Sequence, residues 1–120
     1  MKIAFTTSGD HLDAPLDQRF GRAPRFLIYD EEADTFEILD NHPNLQAASG
    51  AGIQAAEAVT RSGAQALVTG HCGPKAFRVL SAGGVKIFNT SALTVKEALE
   101  AYRAGRLAEA SAADVEGHWA

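Results

Sequence analysis

The sequence feature that most constrains the fold is a short apolar run followed by a glycine-rich turn and a helix start. Residues 66–69 (ALVT) do not alternate apolar and polar side chains, which is typical of a strand covered on both faces. The turn GHCG follows at residues 70–73, and Pro74 suits the first position of a helix because its fixed φ is already helical. A buried strand that leads directly into a helix predicts an α/β protein with parallel strands.

The rest of the chain divides into strands and helices in the order β-β-β-α-β-α-β-α. Strands are predicted at residues 2–7, 25–30, 36–39, 66–69 and 85–88, and helices at residues 51–61, at residues 74–82 and from the capping-box pattern of Thr94 and Glu97 to Gly105. The first three strands form a meander, which predicts antiparallel pairing, and the two strand–helix units add parallel strands through right-handed crossovers. The predicted fold is therefore an α/β, mixed five-stranded sheet covered by helices, with a ribonuclease-H-like topology.

Length, charge and cysteine content disfavour several classes of protein. A chain of 120 residues is long enough for one domain with one core. Its net charge of −4 and the lack of a basic run give no electrostatic support for nucleic-acid binding. No long apolar segment predicts a membrane span, and the first residues do not have the pattern of a signal peptide. One cysteine cannot form an internal disulfide, so we expect a protein of the reducing cytoplasm.

Loops at one edge of the predicted sheet have the composition of an anion site. In open sheets of this kind ligands bind beyond the carboxyl ends of the parallel strands, where TTSGDH, TGHCGP and FNTSALT should converge and AASGAG precedes a helix. Helix N-termini offer unpaired amide groups and a positive dipole end, and small residues let a bulky ligand approach the backbone. The candidate binding residues in these loops are Ser8, Ser49, Gly50, Gly52, Gly70, Gly73, Asn89 and Ser91.

The long first loop adds positive charge through the stretch RFGRAPR. Its arginines recur at spacings of three, at Arg19, Arg22 and Arg25. One interpretation is a basic flap that folds over an anion. Two others stay open: the arginines are solvated and pair with the aspartates at 10, 13 and 17, or the loop docks an acidic partner protein. We expect residues 9–24 to be mobile without ligand, because glycines and charges outnumber apolar anchors there.

His71 and Cys72 raise the question of a metal or thiol site. Adjacent residues cannot both enter one tetrahedral site without strain, and no CxxC or HxxxH pattern supports structural zinc. Cys72 lies near a helix N-terminus that would lower its pKa, which leaves a thiol-dependent enzyme as an alternative. A base is not obvious, because His11 and His42 lie on distant loops. The simplest prediction is a small, half-buried Cys72 beside the loop, with the histidines, including the binding candidate His11, as polar residues around it.

The sequence also bears on nuclease activity. Nucleases of the ribonuclease H fold hold two magnesium ions with carboxylates on the first strand, first helix and fourth strand. Neither predicted strand contains a carboxylate, and Glu57 stands alone in the first long helix. A nuclease is therefore disfavoured.

Four stretches together resemble a known family. MKIAFTTSGD, LDQRFGRAPRFLIYD, the run from GAGIQAAEAV to GGVKIF, and TVKEALEAYRAGRL are similar to the dinitrogenase iron–molybdenum cofactor biosynthesis proteins. The likeness covers residues 1–107 of a single 1–120 domain and leaves 108–120 as a C-terminal tail. Its most specific parts are RFGRAP and the turn TGxxGPxA. His71 and Cys72 depart from what many relatives carry in that turn, so contact of either residue with metal stays open; thiolates do prefer copper.

The resemblance implies a function as well as a ribonuclease-H-like fold. Members bind or carry preformed metal–sulfur clusters, and one branch, the orange proteins of sulfate-reducing bacteria, holds a molybdenum–copper sulfide cluster without covalent attachment. This implies a non-enzymatic carrier or scaffold for a molybdenum–copper sulfide or iron–molybdenum cluster, held by backbone amides and basic side chains. It further implies a cluster donor or acceptor protein as partner, and a monomer or weak dimer.

Overall fold

The computed structural model describes residues 1–45 and 50–111. The elements are β1 (Lys2–Thr7), a 3-10 turn (Phe20–Arg22), β2 (Arg25–Asp30), β3 (Thr35–Asp40), α1 (His42–Leu45), α2 (Ala51–Arg61), β4 (Ala66–Thr69), α3 (Pro74–Ala82), β5 (Lys86–Asn89) and α4 (Val95–Arg103). All five predicted strands and three predicted helices are present. The 3-10 turn and the single-turn α1 lie in segments that were predicted as loops.

The five strands form one sheet in the order β3-β2-β1-β4-β5. The pairs β1–β2 and β2–β3 are antiparallel, whereas β1–β4 and β4–β5 are parallel, which confirms the predicted mixed α/β sheet. In register, Thr7 pairs with Arg25 and Arg25 pairs with Asp40. The start of β2 and the end of β3 therefore lie at the same end of the sheet as the carboxyl ends of β1, β4 and β5. We call this end of the sheet the rim.

Helices cover both faces of the sheet. Successive residues of a strand point to opposite faces, so Phe26 and Ile28 pack in one core cluster and Leu27 and Tyr29 in the other. The first cluster includes residues of α2 and α3, and the second includes residues of α4. We call these the α2/α3 face and the α4 face. No helix in the described residues is long and apolar enough to cross a membrane.

The helices α2 and α3 contact each other near both of their ends. A Cβ on Gly52, in the first turn of α2, would lie 3.7 Å from Ala76 Cβ in the first turn of α3. At the other end, a Cβ on Gly83 would lie only 2.6 Å from Thr60 Cγ2. The two helices therefore run side by side, and their N-termini meet at the rim.

Residues 15–20, which we call the crossing segment, pass over the rim from one face to the other. Leu16 packs in the α4-face core and Phe20 in the α2/α3-face core. The Asp17 amide donates to Thr6 O (2.8 Å), and the segment forms a parallel bridge with His71 of the β4–α3 turn. The expectation of a mobile loop rested on a shortage of apolar anchors, and that premise is wrong, because Leu16, Phe20 and Ala23 are buried.

We expect the crossing segment to resist hydrogen exchange even without a ligand. The His71 amide donates to Gln18 O (2.7 Å) and the Phe20 amide donates to His71 O (3.0 Å). These two amides should exchange about a hundredfold more slowly than those of Asp10 and Asp13, which lie in the exposed part of the same loop. Mass-spectrometric or NMR exchange on the apo protein measures the difference. Equally fast exchange at all four positions would instead support the expectation of a mobile loop.

Candidate functional site

The N-termini of α2 and α3 lack side-chain caps within the described residues. Gly50 precedes α2 in a left-handed conformation (φ 101°), and Gly73 precedes α3 in an extended one. Neither helix carries an acidic residue in its first turn. The first amides of a helix have no partner inside that helix, and they carry the positive end of its dipole. Two such ends lie side by side here, a geometry that favours an anion.

The N-terminus of α4, on the other face, has a different character. Thr94 Oγ1 accepts a hydrogen bond from the Glu97 amide and donates one to Glu97 Oε1, both at 3.1 Å. Another carboxylate, Asp40, lies at the end of β3, where the His42 amide (3.0 Å) and imidazole (2.7 Å) contact Oδ1 and lower its pKa. The carboxylates of Glu97 and Asp40 on this side disfavour an anion, so the α2/α3 face is the better candidate.

Two arginines flank the paired helix ends. The 3-10 turn packs on the start of α2 so closely that a Cβ on Gly21 would lie 3.4 Å from Gly52 Cα. Arg22 ends this turn, and the backbone of Arg19 bridges His71 in the turn before α3. Both arginine side chains are exposed. The structure therefore brings seven of the predicted site residues into one region: Arg19, Arg22, Gly50, Gly52, Gly70, His71 and Gly73.

Three other predicted site residues lie apart from that region. Arg25 belongs to β2, where strand alternation places its side chain on the α4 face with Leu27. Arg25 Nη1 donates to Ser8 O (3.1 Å), so Ser8 lies beside Arg25 and apart from the paired helix ends. His11 packs against Phe36, near the end of β3 that is far from the rim, with 6.2 Å between ring centroids.

The remaining loop candidates have separate positions. Asn89 Nδ2 donates to Gly70 O (3.0 Å), so Asn89 braces the turn before α3 from the end of β5. Ser91 is exposed in the β5–α4 loop, in which Leu93 O accepts from the Leu16 amide (3.0 Å) on the α4-face side of the crossing segment. Ser49 lies outside the described residues.

Cys72 is more buried than the sequence suggested. Its side chain is 1% exposed and belongs to the same core cluster as Phe20 and Ala76, so the prediction of a half-buried position is wrong. The thiol lies 3.7 Å from Gly73 O, a weak hydrogen bond. The described residues contain no group of three or more His, Cys, Asp or Glu that could hold a metal ion. Metal contact by Cys72 or His71 stays an untested prediction.

Lys75 is a candidate that the sequence reasoning missed. It is exposed at the second position of α3, directly after the glycine turn and Pro74. The sequence does carry a signal for it, because residues 58–96 contain no acidic side chain. Their charged residues are Arg61, Lys75, Arg78, Lys86 and Lys96. Lys75 is the member of this set that lies at the start of α3, where an anion would bind.

Comparisons with known proteins agree with this architecture. Residues 1–105 match the model of the dinitrogenase iron–molybdenum cofactor family. The apo form of the orange protein from Desulfovibrio gigas is 38% identical, with a TM-score of 0.91, over 95% of this chain and 96% of that one. A Thermotoga protein, described as a candidate NifB protein of the DUF35 family, is 33% identical, with a TM-score of 0.79, over 90% of this chain and 91% of that one. An uncharacterised protein of Methanocaldococcus jannaschii is 26% identical over 110 residues, 89% of each chain. The chain described here therefore belongs to the dinitrogenase iron–molybdenum cofactor family.

Proposed function

We propose that this protein is a non-enzymatic carrier or scaffold for an anionic metal–sulfur cluster of the molybdenum–copper sulfide or iron–molybdenum type. The observation that carries the proposal is the pair of glycine-capped helix N-termini at the rim, with Arg19 and Arg22 beside them. Family membership and the 38% identity to the orange protein support it. In this proposal the cluster is cargo, held without covalent bonds.

The residues present fit such a cargo. A sulfide cluster brings its own sulfur ligands, so the protein has to supply positive charge and close approach rather than metal-ligating side chains. Glycine caps allow the cluster to approach the backbone, and the first turns contain no carboxylate to repel it. Hydrogen bonds to charged groups contribute about 1.5–3 kcal/mol each. Three or four of them, from amides, Arg19, Arg22 and Lys75, offset much of the ordering cost of binding.

The alternative of a thiol-dependent enzyme loses support from the burial of Cys72. The residue is 1% exposed and packs in the α2/α3-face core, so a substrate in solvent reaches its thiol only after local opening. A docking site for an acidic partner on the RFGRAPR arginines is the other competing function. This alternative predicts that reversing the charge of these arginines weakens binding of the partner protein and leaves the visible absorption of the cluster unchanged.

Matched charge reversals test the proposal. Anaerobic addition of tetrathiomolybdate and copper(I), followed by gel filtration, should yield protein with a stable visible absorption band. Lys75→Glu should weaken binding about tenfold, since it removes one charged contact and adds a repulsive one. Lys96→Glu makes the same change at the second position of α4 and should leave binding unchanged.

The stability of the variants separates binding from folding. A carboxylate in the first turn stabilises a helix by about 0.3–1 kcal/mol, so neither variant should unfold. Wild-type protein that elutes without a chromophore would refute the proposed function. Equal loss of binding in both lysine variants would show that the cluster does not bind specifically at the start of α3.

Three finer assignments complete the proposal. We assign the protein to the cytoplasm, because a single cysteine suits a reducing compartment. A cluster donor or acceptor protein is the expected partner, since a carrier has to exchange its cargo. We also propose a ribonuclease-H-like topology, and the strand order β3-β2-β1-β4-β5 supports it.

A further inference from the structure

The two edge strands of the sheet, β5 and β3, differ in whether another segment of the chain pairs with their outer side. At the β5 edge the Ala110 amide donates to Ile87 O (2.7 Å) and Glu109 forms an antiparallel bridge with Phe88, so a C-terminal piece of chain covers that strand. At the other edge, no strand or bridge in residues 1–45 and 50–111 lies beside the outer side of β3. An edge strand presents unpaired amide and carbonyl groups, which are a template for another strand.

β3 is regular enough to accept one. All six of its residues pair in register with β2 and no bulge interrupts the pairing. The strand contains neither proline nor lysine, two residues that commonly block edges. Four of its residues are exposed: Thr35, Phe36, Glu37 and Asp40. Within residues 1–45 and 50–111, Phe36 is one of three exposed large apolar side chains, with Met1 and Leu93.

The negative charge of the residues around β3 favours a partner with positive charge. Residues 30–40 contain six carboxylates and no lysine or arginine: Asp30, Glu31, Glu32, Asp34, Glu37 and Asp40. Four of these side chains have local partners: Asp30 Oδ1 accepts from the Glu32 amide (3.0 Å), Tyr29 Oη donates to Asp34 (2.6 Å), His42 contacts Asp40 (2.7 Å), and the amino group of Met1 lies 3.7 Å from Glu32. Among the described residues, Glu37 takes part in no salt bridge. Its carboxylate lies at the middle of the open edge.

The two faces of β3 call for different side chains. Phe36 and Ile38 alternate with Glu37 along the strand, so the apolar pair lies on the α4 face and the carboxylate on the α2/α3 face. Opposite charges across strands are favourable and like charges directly opposite are unfavourable. A second copy of β3 would place one acidic edge against another, so self-pairing is disfavoured. The complementary strand alternates basic residues with apolar ones.

We propose that the outer edge of β3 is a docking site for an extended basic segment of a partner protein, which adds to the sheet as a sixth strand. Strand addition gives affinity through backbone hydrogen bonds and selectivity through alternate side chains. Lysines or arginines of the segment face Glu37, and its apolar residues cover Phe36 and Ile38. This surface is separate from the α2/α3 end of the rim and does not depend on what binds there.

A peptide of alternating lysine and valine, seven residues long with blocked ends, is the probe. We expect weak, salt-sensitive binding with NMR shifts confined to residues 30–40. Glu37→Lys should weaken it about fivefold. Glu100→Lys, the same charge change at an exposed position of α4, should not.

Two further peptides distinguish strand addition from simple charge attraction. A version that is N-methylated at alternate residues keeps its charge but loses backbone donors, and it should not bind. A glutamate–valine peptide should not bind either. The proposal is overturned if the N-methylated peptide binds as well as the parent or if the shifts map to another surface. It is also overturned if the lysine–valine peptide shows no binding at about 1 mM, the range of a weak complex. Self-association of the wild-type protein through β3 would also overturn it.

Discussion

Replacing Gly70 with alanine is expected to destabilise the protein by about 3 kcal/mol, a large cost for one methyl group. The new Cβ would lie 2.6 Å from Gln18 O and 2.7 Å from Gln18 Cα. Both are main-chain atoms, so rotation of a side chain cannot relieve the overlap. The crossing segment has to move away, and the hydrogen bonds that link Gln18 and Phe20 to His71 are lost with it. Chemical denaturation measures the loss.

Gly84 provides the matched control for this substitution. It also lies in a turn, but a Cβ there would meet nothing within 4 Å. Gly84→Ala should lower the free energy of unfolding by about 1–2 kcal/mol, because alanine disfavours the positive φ (80°) of this position. Gly70→Ala should therefore be the more destabilised of the two and should lose the slow amide exchange at Phe20. Wild-type stability in Gly70→Ala would show that the crossing segment does not lie on the β4–α3 turn as described.

Removing both arginines beside the paired helix ends should weaken binding of tetrathiomolybdate and copper about a hundredfold. Each hydrogen bond to a charged group contributes about 1.5–3 kcal/mol, so two of them correspond to two factors of ten or more. The variant is Arg19→Ala/Arg22→Ala, and the measurement is a titration that follows the visible band at low salt. Higher salt should narrow the gap between variant and wild type, because exposed charges are screened.

Two controls make this result specific. Arg61→Ala/Arg106→Ala removes the same net charge away from the paired helix N-termini, since Arg61 is the last residue of α2 and Arg106 follows the C-terminal end of α4. Binding by this variant should be close to that of wild type. Arg25→Ala should also bind normally, because Arg25 lies on the α4 face beside Ser8. Equal weakening in the two double variants would mean that net charge, not a site, governs binding.

Much of the fold was predictable because its signals are local. The unalternating run of β4, Pro74 at the start of α3 and the pairing of Thr94 with Glu97 each mark an element through neighbouring residues. The convergence of loops at the rim then follows from strand directions. These signals also marked five of the seven residues that share the candidate region, since glycine turns before helices are visible in any sequence: Gly50, Gly52, Gly70, His71 and Gly73.

What was missed depends on contacts between distant residues. Residues 15–20 resemble an irregular loop until Leu16 and Phe20 are seen to bury themselves in two different cores. The direction of the Cys72 side chain depends on the backbone of a tight turn, which residue types alone do not determine. The separation of Arg25 from Arg19 and Arg22 was within reach, because Arg25 opens a predicted strand whose alternation assigns its face.

The central position of β1 has a consequence for how the chain folds as it is synthesised. β1 pairs with β2 on one side and with β4 on the other, and the crossing segment needs His71 as its partner. A nascent chain that ends before residue 66 can form the β1–β2–β3 meander, but one edge of β1 then stays open and apolar. Such an intermediate is prone to aggregation until the fourth strand leaves the ribosome, and it is the state that a chaperone would bind.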